Sequence, residues 1–230
     1  MVSGPRLKVA VLVSGRGTNM QALIEACAGV DCPAEIVLVI SNVADVPGLA
    51  RAQAVGIPTA IVPHTDYTSR EAFDNAVDGR LRAAGAELIC LAGFMRILSD
   101  NFVRRWQGRL INIHPSLLPS FKGTHVHEQA IAAGVRISGC TVHYVIPELD
   151  SGPAIAQAAV PVHPGDTPAS LAARVLEAEH KLYPLALKLI AEGRVQLYAG
   201  RVHFADVPGA EGVLYNPPAT AAAPRSGKED

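Results

Sequence analysis

The sequence contains no apolar run long enough to cross a membrane. Its longest runs, such as residues 36–40 and 88–92, are far shorter than the roughly 20 residues that a bilayer-spanning helix needs. Such short runs are typical of buried strands. Residues 1–6 include Gly4 and Pro5 and no apolar signal region, so we expect a cytoplasmic protein.

An excess of charge of either sign is also missing. The chain has 20 basic and 21 acidic residues, which gives a formal net charge of -1. This balance provides no overall attraction to nucleic acid or to an anionic membrane, and we expect neither as a partner. An anionic small molecule must be bound locally. The 230 residues are 49% hydrophobic, enough for one sizeable core, and we expect a monomer or a homodimer.

The sequence lacks the paired CxxC spacing of zinc and redox sites. Its cysteines are Cys27, Cys32, Cys90 and Cys140. Two of them lie within apolar runs, where a thiol usually packs as a small core residue. His125 and His127 flank Val126 but have no acidic or cysteine partner at zinc-like spacing. We therefore expect no metal and no disulfide.

Strand and helix patterns alternate along the first half of the chain. Strands are predicted at 7–13, 34–41, 59–63, 88–92 and 110–113, and helices at 19–28, 47–54, 70–84 and 100–105. Strands separated by helices favour parallel pairing with crossovers. The prediction is an α/β fold with a Rossmann-like, mostly parallel sheet and helices on both faces.

The second half of the chain predicts antiparallel additions. Residues 139–145 and 154–160 are predicted as strands flanking a turn-rich segment. A long helix at 168–191 should be bent or interrupted by Pro184. A small hairpin is predicted at 195–198 and 201–204. After Tyr215 the sequence is rich in Pro, Ala, Ser and charged residues, which cannot form a core. The tail at residues 205–230 is therefore predicted to be largely disordered.

A glycine-containing loop lies between the first strand and the first helix. Gly15, Gly17, Thr18 and Asn19 would present backbone N–H groups at a helix N-terminus, which favours an anion, although the glycines could equally serve a tight turn. The loop lacks the Gly-Lys-Ser/Thr of a P-loop and the third glycine of a dinucleotide fingerprint. The second predicted strand ends in Ser-Asn instead of an acidic residue, which disfavours a nicotinamide cofactor.

The fifth predicted strand carries an amide and an imidazole. Asn112 and His114 are two residues apart, so both should project from one face near the strand's end. Such a pair suits formyl or acyl transfer, in which an oxyanion needs a hydrogen bond and a leaving nitrogen needs a proton. It could also be a hydrogen-bonded polar pair without a catalytic role. Asp150, next to Gly152 and Pro153, could hold a carboxylate beside the imidazole, with His143 supporting it.

The segment after the fourth strand is unusually apolar for a solvent-exposed loop. Residues 94–98 read Phe-Met-Arg-Ile-Leu. They could line a slot for a flat heterocycle, or they could pack against the core.

Four motifs together resemble the glycinamide ribonucleotide formyltransferase family: SGRGTN, LAGFMRIL, NIHPSLLP and the later DSGP. The resemblance runs from about residue 7 to 204, which we take as a single domain. It implies a phosphate-binding half at about 7–105 and a folate-binding and catalytic half at about 106–204. The implied reaction moves a formyl group from 10-formyltetrahydrofolate to the amine of glycinamide ribonucleotide, in purine biosynthesis.

The resemblance also implies individual roles. Asn112 would polarise the formyl oxygen, His114 would donate a proton to the folate nitrogen, and Asp150 would orient His114 and favour its protonated form. The implied contacts to glycinamide ribonucleotide are Gly17, Thr18, Asn19 and Glu179. The implied folate contacts are Arg70, Met95, Arg96, Ile97, Leu98, Asn112, Ile146, Pro147, Glu148, Leu149 and Asp150. Lys122 departs from the family pattern, because some members have proline there, so its loop could differ.

Three alternatives remain open. Formyltetrahydrofolate deformylases use similar catalytic residues with water as the acceptor, but they carry an N-terminal regulatory domain, for which a first strand at about Leu7 leaves no room. Methionyl-tRNA formyltransferases add a C-terminal RNA-binding domain, for which the tail is too short. A noncatalytic nucleotide-binding module would explain the glycine loop alone.

Overall fold

A computed structural model of the chain describes residues 4–29, 32–209, 211–212 and 214–217. The elements of its first half are β1 (Leu7–Val13), α1 (Thr18–Cys27), β2 (Ala34–Ser41), α2 (Pro47–Ala54), β3 (Thr59–Ile61), α3 (Arg70–Ala83), β4 (Leu88–Leu91) and α4 (Asp100–Arg105). Those of its second half are β5 (Leu110–His114), α5 (Val126–Ala132), β6 (Ile137–Tyr144), β7 (Ala154–Pro161), α6 (Pro168–Ala191), β8 (Val195–Tyr198) and β9 (Arg201–Phe204).

One seven-stranded sheet organises the molecule, in the order β3-β2-β1-β4-β5-β6-β7. The pairs from β3 to β5 are parallel, whereas β6 and β7 are added antiparallel. The predicted α/β class is confirmed, as are the mostly parallel sheet and the antiparallel addition. The ends of the five parallel strands therefore lie along one edge.

Both faces of the sheet are covered by helices. Along β1, Val9, Val11 and Val13 pack with side chains of α1, α2 and α6 on one face. Ala10 and Leu12 pack with side chains of α3 and α4 on the other. Burial on both faces explains why the strands read as continuous apolar runs instead of alternating ones.

Side-chain caps mark where several helices begin. The hydroxyls of Ser69 and Ser99 accept the N–H groups of Ala72 and Phe102 at the starts of α3 and α4. Thr167 and Ser170 form a reciprocal capping box at α6. Such caps satisfy N–H groups that have no partner within the helix.

Pro184 does not interrupt α6, which runs unbroken from Pro168 to Ala191. Proline removes one backbone hydrogen bond, but Tyr183 and Leu187 beside it are fully buried. The Tyr183 hydroxyl also donates to the Leu91 carbonyl at 3.0 Å. Packing against the sheet therefore stabilises the helix through the proline.

The prediction of a disordered tail lies largely outside the described residues. Within the described part of the tail, the Asn216 side-chain amide donates to the carbonyl oxygens of Arg136 and Val162, the latter at 3.0 Å. The four cysteines are free thiols. Among the described residues, no helix combines the length and the apolar character needed to cross a membrane.

Candidate active site

Strand β5 sends its apolar and polar side chains to opposite faces. Ile111 and Ile113 join the core beneath α1 and α6, whereas Asn112 and His114 point to the face that α3 and α4 cover over the neighbouring strands. Register pairs Asn112 with His143 and His114 with Thr141 on β6. All four polar side chains thus share one face of the sheet.

His143 fixes the orientation of Asn112. Its Nδ1 donates to the Tyr144 carbonyl at 3.0 Å, so Nε2 is left to accept the Asn112 side-chain N–H at 3.3 Å. Burial lowers the pKa of His143, against the opposing effects of the Tyr144 carbonyl and Asp150, so the ring is neutral at neutral pH. The second N–H of the Asn112 amide remains available for a ligand oxygen.

His114 is buried between a backbone carbonyl and a carboxylate. Its Nε2 donates to the Phe121 carbonyl at 2.9 Å, and its Nδ1 lies 3.5 Å from Oδ2 of Asp150. The residue is 4% exposed. The carbonyl requires a proton on Nε2, and Nδ1 is the nitrogen that faces the carboxylate.

Asp150 reaches the cluster because the loop after β6 folds back over the sheet. The residue has a positive φ of 48°. Gly152 packs so closely on the Tyr144 carbonyl that a Cβ would lie 1.7 Å from its oxygen, so only glycine fits there. Asp150 Oδ2 also accepts the Gly123 N–H at 2.8 Å, and Oδ1 lies 3.9 Å from Nε2 of His143. The structure therefore brings Asn112, His114, His143 and Asp150 together.

Lys122 ties the loop after β5 to the loop that carries Asp150. Its Nζ donates to the Ser151 hydroxyl at 2.7 Å. Beneath it, the Ser116 hydroxyl donates to the Ser120 carbonyl at 2.6 Å, and Thr141 donates to the Ser116 carbonyl at 2.7 Å. These bonds fix the loop that carries the Phe121 carbonyl, which accepts the hydrogen bond from His114.

The glycine loop leaves the N-terminus of α1 open. Gly17 occupies the N-cap position with φ 69°, and no side chain caps the helix. A Cβ on Gly17 would lie 2.7 Å from the Cα of Gly48, so glycine is required by both the backbone conformation and the close packing. The first turn of α1 contains no acidic residue. The loop is thus both a tight turn and a potential anion site.

Asn19 and Glu179 are brought together across the fold. Asn19 Nδ2 donates to Glu179 Oε2 at 2.7 Å, which joins α1 to α6. Glu179 is 5% exposed, and burial raises the pKa of its carboxyl, although the Asn19 hydrogen bond acts in the opposite direction. A buried carboxylate next to an open helix N-terminus can receive an ammonium or amide N–H group.

Two loops expose apolar side chains near the cluster. Met95 and Ile97 are 70% and 61% exposed, and Leu149 is 56% exposed. Phe94 instead stacks on Phe73 at 6.4 Å between ring centroids. Such exposure of large apolar side chains on neighbouring loops is typical of a ligand surface.

The other predicted folate contacts vary in burial. Leu98 is buried, Ile146 half-buried, and Arg70, Arg96, Pro147 and Glu148 are exposed. Arg70 opens α3 one turn before Phe73. Among the described residues, no side-chain hydrogen bond or ion pair places Arg70 or Arg96 on the cluster around His114.

Sequence reasoning missed the contribution of Ser14, which accepts the Met95 N–H at 2.8 Å and donates to Asn42 Oδ1. Its presence in the SGRGTN motif was the one available signal. Within the described part of the chain, no group of three or more His, Cys, Asp or Glu side chains could hold a metal ion.

Known proteins are similar to this chain along most of its length. The model of the formyl transferase family matches residues 7–187. The chain belongs to the formyl transferase family. Phosphoribosylglycinamide formyltransferase of Escherichia coli (strain K12) is 44% identical over 84% of this chain and 91% of its own length.

Two further comparisons confirm the resemblance predicted from the motifs. Glycinamide ribonucleotide transformylase 1 from Symbiobacterium toebii has a crystal structure that matches with a TM-score of 0.86 at 44% identity, covering 89% of this chain and 96% of that one. The trifunctional purine biosynthetic protein adenosine-3 of Gallus gallus is 55% identical over 86% of this chain. The match spans only 20% of that larger protein.

Proposed function

We propose that the protein transfers a formyl group from 10-formyltetrahydrofolate to the amine of glycinamide ribonucleotide, in purine biosynthesis. The observation that carries the proposal is the contact of His114 with Asp150 at 3.5 Å, on the same face of the sheet as the Asn112 amide. The names of relatives that cover nearly the same length support this choice of substrates.

The chemistry requires a hydrogen bond and a proton at different atoms. The amine attacks the formyl carbon, and the Asn112 N–H stabilises the oxyanion of the tetrahedral intermediate. When the bond between carbon and the folate nitrogen breaks, His114 supplies a proton to that nitrogen. The amine loses a proton to solvent, and His114 regains one from solvent. Asp150 lies 3.5 Å from Nδ1 of His114 and orients the imidazole ring for this step.

The two substrates approach from different loops. The N–H groups of Gly17, Thr18 and Asn19 at the start of α1 bind the phosphate, and Glu179 binds the glycinamide portion. The apolar surface of Met95, Ile97 and Leu149, together with the other predicted contacts, holds the folate.

A product assay separates this proposal from its rivals. The purified protein is incubated with 10-formyltetrahydrofolate, with and without glycinamide ribonucleotide. Release of tetrahydrofolate that depends on the amine supports transfer. Release without the amine supports a deformylase, and binding without any release supports a noncatalytic module. A cytoplasmic location and a monomeric or homodimeric state remain predictions.

A further inference from the structure

Ser14 joins the loop that begins α1 to the loop that follows β4. Its backbone N–H donates to the Gly93 carbonyl at 3.1 Å, and its hydroxyl accepts the Met95 N–H at 2.8 Å. Along the chain it directly precedes Gly15 and the open N-terminus of α1. Ser14 thus belongs to one of the two loops to which the proposed function assigns a substrate, and it contacts the other.

The orientation of the Ser14 hydroxyl is determined by its partners. A hydroxyl has a single proton, and here it is donated to Asn42 Oδ1 at 2.5 Å. Asn42 is only 3% exposed, and its Nδ2 lies 3.1 Å from Nδ1 of His64. Because Asn42 is itself held, the Ser14 oxygen presents a fixed acceptor to the Met95 N–H.

Separate contacts hold the outer side of each loop. Gly48 at the start of α2 donates its N–H to the Gly15 carbonyl at 3.0 Å, next to Gly17. Asp74 of α3 is fully buried, and its Oδ2 accepts the Ser99 N–H at 2.6 Å. Ser99 lies at the far end of the loop between β4 and α4. Gly48 therefore supports the phosphate side, Asp74 supports the folate side, and Ser14 lies between them.

We propose that Ser14 is a positioning residue shared by the two substrate sites. Its hydroxyl fixes the backbone at Met95 relative to the loop at Gly17, and so sets the position of the formyl donor relative to the amine. The inference rests on the proposed function. It assigns no proton or bond to Ser14 itself.

The test measures the binding of each substrate to Ser14→Ala by titration calorimetry. The probes are glycinamide ribonucleotide and tetrahydrofolate, which has no formyl group to transfer. Loss of one hydrogen-bonding hydroxyl should raise both dissociation constants by about 5- to 10-fold. The variant's kcat should also fall, because misplaced reactants react slowly.

Matched variants distinguish positioning from a general loss of structure. In Gly48→Ala, the new Cβ would lie 3.0 Å from the Gly15 carbonyl oxygen, so only glycinamide ribonucleotide should bind more weakly. In Asp74→Ala, the Ser99 N–H loses its acceptor, so only tetrahydrofolate should bind more weakly. Ser14→Thr retains the hydroxyl and should recover most of the affinity for both ligands.

The results have distinct consequences. Weaker binding of both ligands in Ser14→Ala, with rescue by Ser14→Thr, supports the inference, whereas loss of only one affinity, or of neither, overturns it. If Ser14→Ala does not fold, Asn42→Ala removes the acceptor of the same hydroxyl and must weaken both ligands. Wild-type protein that binds neither probe would contradict the proposed function itself.

Discussion

At the residue scale, the contacts of both His114 nitrogens fix the position of its imidazole ring. His114 donates its Nε2 proton to the Phe121 carbonyl, while its Nδ1 faces Asp150. The Gly123 N–H in turn holds the Asp150 carboxylate. The imidazole therefore has a fixed ring position, with Nδ1 turned toward the carboxylate.

His114→Ala and Asp150→Asn should each lower kcat by about 100- to 10,000-fold, because a positioned general acid contributes on that scale. Both substrates should still bind, since the proposed work of these groups is in the transition state. Steady-state kinetics and calorimetry measure the two quantities separately. Near-normal turnover in either variant would refute the roles assigned to them.

Glu179→Gln should make the protein more stable at neutral pH. Burial raises the pKa of Glu179, so the folded state loses stability as the pH rises from the ordinary carboxyl range through the raised value. Removing the charge should raise Tm by roughly 2–4 °C per kcal/mol recovered. Below the ordinary carboxyl range, the Tm difference should vanish.

The same variant should bind glycinamide ribonucleotide about 10-fold or more weakly, because a charged hydrogen-bond partner is lost. Thermal unfolding from pH 4 to 8, together with calorimetry, tests both effects. If Glu179→Gln is less stable than the wild type at pH 8, the charge of Glu179 is stabilised by its surroundings in the folded protein, which would contradict the expectation.

At the scale of elements, the open start of α1 depends on Gly17. Gly17→Ala should lower the free energy of unfolding by about 1–2 kcal/mol from its left-handed backbone alone, with a further cost from contact with Gly48. In the matched Gly15→Ala variant, the added Cβ has no atom within 4 Å, so stability should hardly change. Urea unfolding compares the two, and equal losses would argue against the close packing.

Helices α3 and α4 are joined by the buried carboxylate of Asp78. It accepts the Trp106 indole N–H and the Arg82 guanidinium, both at 2.8 Å. Burial alone would raise the pKa of Asp78, but these hydrogen bonds hold it below its usual value. The carboxylate therefore stabilises the fold above the ordinary carboxyl pKa, and this contribution is lost as the pH falls through the depressed value.

Asp78→Ala should cost about 2–4 kcal/mol at pH 7, because it leaves the buried indole N–H without a partner. The difference from the wild type should narrow in acid. Arg104→Ala removes only an exposed pair with Asp100 and should cost less than about 0.5 kcal/mol. Urea unfolding at several pH values compares the two variants, and a constant difference across pH would exclude the charge as the cause.

The bounds of most elements could be predicted from local sequence. Pro47–Ala54, Asp100–Arg105 and Pro168–Ala191 are the helices expected, because apolar spacing and first-turn prolines are local signals. The effect of Pro184 could not be predicted in this way, since the burial of Tyr183 outweighs it. The same holds for Ser14, whose role depends on partners 28 and 81 residues away.

At the scale of the whole molecule, the sheet order brings the proposed substrate sites together. β1 pairs with β4, and β4 with β5, so the loop at Gly17, the loop at Met95 and the Asn112 cluster follow adjacent strands. Alternating elements predicted a parallel sheet but not this order, which depends on long-range pairing. The approach of Asp150 to His114 depends on the folded loop, so residue spacing alone could not predict it. The motif resemblance did imply that these two residues act together.

Following a labelled formyl carbon tests the central claim most directly. The protein is given 10-formyltetrahydrofolate labelled at the formyl carbon, together with glycinamide ribonucleotide, and the products are separated. We predict that the label moves to the amine of glycinamide ribonucleotide, and that Asn112→Ala slows this transfer by about 100- to 1,000-fold. Label recovered as formate, at a rate that does not depend on the amine, would contradict the account.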